Sequence, residues 1–190
     1  MITIIDYGIG NLRSIEKAFQ NVGATVHRTD DVEDVASAER LVLPGVGAFR
    51  ACIDEIRRRD LEGPIQEAIH RGVPFLGVCV GMQLLFETGY EKGEHEGLGV
   101  LPGYVAHFRE VADGALDDLP VPHMGWNTIE PTRANPLLRG LGDTPHVYFV
   151  HRENVFGVQF HPEKSQAAGL GLLENFSTLK RTAQADDAVA

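Results

Sequence analysis

Apolar positions along this chain follow two periods. Short unbroken runs ending in Gly or Pro read as buried strands: ITIID (2–6), ATVHRT (24–29), RLVLPG (40–45) and VPFLGV (73–78). Between them lie segments with apolar residues every three or four positions, which predict helices. NLRSIEKAFQNVG (11–23) has Asn11 as its N-cap and Gly23 just past its end, FRACIDEIRRR (49–59) follows the third strand, and PIQEAIHRG (64–72) has Pro64 at its first position and Gly72 as its stop. From Val80 the apolar run VGMQLLFE again carries helical spacing. Strands alternating with helices predict a parallel sheet covered on both faces. After Gly97 the texture changes: LGVLPGYVAHF, HMGWNTIE, HVYFVH and NVFGVQF read as strands separated by turns, which predicts an antiparallel or mixed section. GLGLLENFSTL (169–179) closes the pattern as a helix, and RTAQADDAVA should fray. The expected fold is α/β: a mostly parallel central sheet with helices on both faces plus an antiparallel section in the C-terminal half. It forms one domain over 1–180, with 181–190 as a flexible tail.

Composition narrows the class of function. A chain of 190 residues with 43% hydrophobic residues fits one domain that buries about 70% of the surface its unfolded chain exposes. The formal charge of −10, with Arg57, Arg58 and Arg59 as the one basic run, argues against a nucleic-acid or anionic-membrane partner. Two cysteines, Cys52 and Cys79, cannot build a disulfide framework, and no Cys-x-x-Cys or His-x-x-x-His spacing offers a metal site. No metal and no cofactor is expected. YGIGNLR fails as a dinucleotide fingerprint because Arg13 occupies the third glycine position. With neither a signal-peptide pattern nor an apolar run of membrane-spanning length, a soluble cytoplasmic protein is expected.

The candidate chemistry starts at Gly77-x-Cys79-x-Gly81. This has the form of a nucleophile elbow, a sharp strand-to-helix turn that lifts a reactive side chain above the carboxyl edge of a sheet. Side chains at 77 and 81 would collide with the neighbouring strand or helix. A helix starting at Val80 would aim its N–H groups at the sulfur and favour the thiolate. The alternative is a buried structural cysteine, and Cys52, inside a helical segment, is read that way. A thiol nucleophile needs a base and a group to orient it. GVQFHPEKS supplies His161 and Glu163 two residues apart at the end of an apolar strand, where a period of two points both to one side. Acyl transfer also needs donors for an oxyanion: the N–H of Val80, and the Gly45–Gly47 turn after the third strand.

Together GVCVGMQLLFE, LPGVGAF and VQFHPEKS resemble the class I, triad-type glutamine amidotransferases over residues 2 to about 177. IIDYGIGNLRS, PHMGWN (122–127) and Lys164-Ser165 are similar to one branch of that family, the glutaminase subunits of imidazole glycerol phosphate synthases in histidine biosynthesis. The resemblance implies hydrolysis of L-glutamine through a cysteinyl thioester. Cys79 would be the nucleophile, His161 the base and then the acid, and Glu163 its orienting partner. It implies an oxyanion hole from Val46, Gly47 and Val80, with the turn's peptide rotating to complete it, and substrate contacts from Gly45, Gln83 and Glu91. Asn11, Met124, Gly125, Trp126, Asn127 and Lys164 match the face that docks on a (β/α)8 cyclase, giving a heterodimer in which ammonia reaches the cyclase to make imidazole glycerol phosphate and AICAR.

Two other readings stay open on the residues alone: a glutaminase subunit of another synthase or another cysteine hydrolase of this fold, and a non-catalytic regulatory binding module with an inert thiol. The chain also departs from the branch at one place. Between YFVH and NVFGVQF only Arg152 and Glu153 stand, where the family continues with Ser-Tyr, a loop and a further strand.

Overall fold

The computed structural model describes residues 1–106, 135–141, 149–152 and 155–182. Its centre is a six-stranded sheet of β1 (Ile2–Ile5), β2 (Val26–Thr29), β3 (Leu41–Gly45), β4 (Phe75–Cys79), β8 (Phe149–Arg152) and β9 (Val155–Val158), in the order β2-β1-β3-β4-β9-β8. Neighbours from β2 to β9 pair in parallel, and β8 closes the edge antiparallel to β9, with Arg152 opposite Val155. Both faces of the sheet are covered, so its inner strands are apolar at nearly every position, with buried Thr3 the polar exception in β1, rather than at alternate ones. Leu41, Leu43 and Phe75 point into one core with Phe49, Ile53, Ile56 and Ile65 of α3 (Phe49–Arg58) and α4 (Glu62–His70). Val42, Leu76 and Phe156 point into the other, with Ile15 and Phe19 of α1 (Leu12–Asn21) and Leu172, Leu173 and Phe176 of the closing helix α6 (Gln166–Thr178).

A second, three-stranded sheet lies after Cys79. It joins β5 (Phe86–Gly89), β6 (His95–Glu96) and β7 (Leu101–Val105) in the order β6-β5-β7, antiparallel on one side and parallel on the other. Its place in the chain corrects the expectation of a long helix from Val80. The helix α5 is a single turn, Val80–Gln83, and the chain then turns into β5. Leu84 and Leu85 are both fully buried, so the run is apolar on all sides, and a run of that kind fits a buried strand as well as a helix.

Smaller differences have local causes. The helix read from Pro64 begins at Glu62, which puts the proline third in the helix, where its missing N–H still has no intrahelical partner to lose. A five-residue helix α2 (Val32–Ala36) was not predicted; Asp31 caps it by accepting from the N–H groups of Glu33 and Asp34. The strand expected at NVFGVQF is β9, which lies in the central sheet parallel to β4 on one side and antiparallel to β8 on the other, so the expected mixed section is part of that sheet. HMGWNTIE and residues 183–190 of the expected tail lie outside the described residues. Among the described residues no helix is long and apolar enough to cross a membrane.

Candidate active site

The carboxyl ends of β3, β4 and β9 assemble the site. At the tip of β4, Cys79 adopts φ 55° and ψ −116°, a positive φ that residues with a Cβ rarely take. The turn is this sharp because three glycines let backbones touch. A Cβ on Gly77 would lie 2.7 Å from the Gly81 carbonyl oxygen and from Cα of Met82. One on Gly81 would overlap the Leu43 carbonyl, and one on Gly45 would sit 2.5 Å from the Gly81 nitrogen. The elbow expected from the spacing is therefore built, with Cys79 half-buried at its apex.

His161 and Glu163 follow β9, which pairs directly with β4. Nδ1 of His161 meets Oε1 of Glu163 at 2.9 Å, and the Glu163 side chain is only 2% exposed. That contact occupies Nδ1 and leaves Nε2 for the sulfur. Side-chain hydrogen bonds with Cys79 and then with Glu163 raise the His161 pKa to about 9 against the desolvation that would lower it. The ring therefore holds its proton more tightly than a free imidazole, and it does so next to the Cys79 thiol. The single turn of α5 carries only a fraction of the aligned dipole of a long helix.

Gly45 pairs in register with Cys79, which brings the Gly45–Gly47 turn beside that residue. Val46 is 36% exposed there, and Gly47 has φ 83°. Two buried side chains hold the turn from below. The Tyr7 hydroxyl donates to the Pro44 carbonyl at 2.8 Å, and the Cys52 thiol donates to the Val46 carbonyl at 3.4 Å. Burial, with Cys52 and Cys79 close by, holds the Tyr7 phenol above its ordinary value, and burial likewise pushes the Cys52 thiol up. Cys52 has no exposed surface, in keeping with its structural reading.

A residue missed from the sequence stands between these groups. Nε2 of Gln159 lies 3.7 Å from the Cys79 sulfur, and its Oε1 accepts from Nε2 of Gln83 at 3.0 Å. The signal was available: Gln159 precedes His161 by two positions just past the end of β9, in the same segment that carries the candidate base to Cys79. Glu91 is engaged rather than free, since its Oε2 accepts from the N–H of Phe49 at 2.8 Å and caps α3, whose own N-cap Ala48 has no side chain to do so.

The class-I glutamine amidotransferase family model matches residues 3–178 of the chain. The chain belongs to that family. Among curated relatives, imidazole glycerol phosphate synthase subunit HisH of Salinibacter ruber is 70% identical, with 100% of both chains covered. The same subunit of Rhodopirellula baltica is 46% identical, over 94% of this chain and 97% of its own. A crystal structure described as a glutamine amidotransferase has a TM-score of 0.60 at 18% identity, covering 92% of this chain and 98% of that one, and so shares the fold.

The Salinibacter alignment runs over 217 positions against the 190 residues here. At least 27 positions of that amidotransferase subunit therefore have no counterpart in this one. The direct β8–β9 pairing stands where the sequence departs from the branch.

Of the residues matched to a partner face, Met124, Gly125, Trp126 and Asn127 lie outside the described residues. Lys164 is exposed in the turn after His161, and Asn11 is half-buried with its side chain on Glu163. A cavity of about 380 Å³ lined by Arg40, Arg71, Lys180 and Arg181 lies at the amino ends of β3 and β4, the edge opposite Cys79. Its guanidinium groups donate to the carbonyls of Leu179, Ala36 and Arg71, seaming the last described residues to the sheet.

Proposed function

We propose that this amidotransferase hydrolyses L-glutamine at Cys79 and passes the ammonia to a (β/α)8 cyclase, as the glutaminase half of an imidazole glycerol phosphate synthase. The observation that carries the reading is the Glu163–His161 contact placed by β9 next to Cys79, which stands on a strained, glycine-walled turn of the paired strand β4. The relatives named above support the choice of synthase over other amidotransferases.

The chemistry follows from the proton positions. The Cys79 thiolate attacks the side-chain amide carbon of glutamine, and the carbonyl oxygen gains charge where the Val80 N–H and the Val46–Gly47 turn can donate to it. His161, protonated at Nε2, gives that proton to the amide nitrogen, and the C–N bond breaks to release ammonia and leave a thioester. Neutral His161 then takes a proton from water, whose oxygen attacks the thioester. Glutamate leaves, and the thiolate–imidazolium pair is restored. Glu163 accepts from Nδ1 throughout and so keeps the proton on that side of the ring. Gln83, with Gln159 beside it, and Glu91, through the oxygen not spent on Phe49, serve to hold the substrate.

Ammonia released into water near neutral pH becomes ammonium, which is not a nucleophile, so coupling to a docked acceptor site is a chemical requirement. The test is glutamine turnover measured with and without the cyclase and its ligand. Turnover that rises several-fold in the loaded complex is expected. Equal turnover in both removes the gate at the Val46 turn, and no turnover in either removes the glutaminase reading.

A further inference from the structure

Asn11 opens α1 and belongs to the residue types that cap a helix by accepting one of its free N–H groups. It does not do so here. Its backbone lies at φ −86° and ψ 54°, and its side chain makes no capping hydrogen bond. Instead Nδ2 reaches Oε1 of Glu163 at 3.1 Å, across 152 positions of sequence. This is the oxygen that also meets the His161 ring. The amide must present its NH2 side, because its oxygen would face a carboxylate. Glu163 is enclosed, and its Oε2 has no partner among the described residues. Nothing on that second oxygen, therefore, stops the carboxylate from turning about its last bond. Two donors converging on Oε1 do.

We propose that Asn11 is a positioning residue of the triad, its amide N–H holding the Glu163 carboxylate in the orientation that grips His161. The helix gives up a capping bond to supply that donor. This inference rests on the reading of Cys79, His161 and Glu163 as the reacting groups.

Two substitutions separate positioning from capping. Asp caps a helix as well as Asn does, but Asn11→Asp sets a carboxylate against Glu163, whereas Asn11→Ala removes the donor to Glu163 and leaves no side chain able to cap. In the complex with the cyclase, glutamine kcat falls about tenfold to a hundredfold in Asn11→Ala, the range for losing a hydrogen bond to a charged group. It falls at least as far in Asn11→Asp, with KM little changed in either. In the isolated chain, the rate of Cys79 alkylation by iodoacetamide is followed against pH. Its acid-side midpoint moves up in both variants, because a loosened Glu163 supports the imidazolium less and the thiolate loses its counterion. Wild-type kcat in Asn11→Asp, or an unmoved midpoint in both variants, overturns the proposal. If the unaltered complex turns over no glutamine, the functional reading falls, while the alkylation midpoints still decide the role of Asn11.

Discussion

Gly81 packs so closely on Leu43 that a Cβ at position 81 would overlap the Leu43 carbonyl oxygen. That contact presses the turn after Cys79 against the neighbouring strand and sets how far the sulfur stands above the sheet. Gly81→Ala must push β3 and β4 apart, with a loss of about 3 kcal/mol or more. Gly63 is the contrast: it sits in the first turn of α4 with open space around its Cβ position and no positive φ. Gly63→Ala should stabilise by about 0.5–1 kcal/mol. Urea denaturation midpoints of the two variants check both signs.

The backbone of Cys79 holds strain that only a residue without a Cβ escapes, typically about 1–3 kcal/mol. Cys79→Ala keeps the strain and Cys79→Gly releases it. After the greater chain entropy of glycine is subtracted, the Gly variant should still unfold about 1 kcal/mol later than the Ala variant, the reverse of their usual order. Both should lose glutamine hydrolysis by about 10³-fold or more while keeping the fold. Calorimetry on the pair, with a glutaminase assay, measures this.

The raised pKa of His161 ties stability to pH with a definite sign. The folded ring titrates at about 9 against an ordinary value of 6.5. Its contribution is thus complete below pH 6.5 and is lost as pH rises through about 9, by at most about 3 kcal/mol. Glu163→Gln removes the carboxylate charge from Nδ1, so the histidine should titrate lower and the stability curve should flatten across that window. Histidine ring NMR titration together with denaturation at several pH values gives both quantities.

The two thiols should differ in reactivity by access and by what surrounds each sulfur. Cys52 is fully buried, with its proton on the Val46 carbonyl and its pKa pushed up, whereas Cys79 is half-exposed beside the His161 ring. A glutamine-mimicking electrophile should modify one thiol per native chain, at Cys79, and reach Cys52 only after denaturation. Peptide mass mapping of the labelled protein reads the site, and labelling at Cys52 in the native chain would contradict the assignment.

Much of this site could be read before any coordinates. The strands that carry it are buried on both faces, so they stand out as unbroken apolar runs. The glycines about Cys79 and the His-Pro-Glu turn after β9 are local patterns that the sequence shows directly. What stayed hidden depends on partners distant in sequence. Asn11 suits a helix cap, and nothing near it shows that Glu163 takes its amide instead. Glu91 lies in a polar stretch, and its bond to Phe49 exists only once α3 and the second sheet are packed. The apolar run from Val80 has no periodicity that separates one helical turn and a strand from a longer helix. The short α2 has too few apolar positions to show a period, although Asp31 before it had the residue type of a cap.

The Tyr7 and Cys52 bonds to the carbonyls of Pro44 and Val46 fall on either side of a single peptide unit, the one joining Gly45 to Val46. With both flanking carbonyls tethered, that unit can reorient only as a crankshaft. The ψ of Gly45 and the φ of Val46 must turn in opposite directions while the chain path on each side stays in place. Strand β3 need not slide for the Val46 amide hydrogen to change direction, and the rest of the turn serves as its bearings.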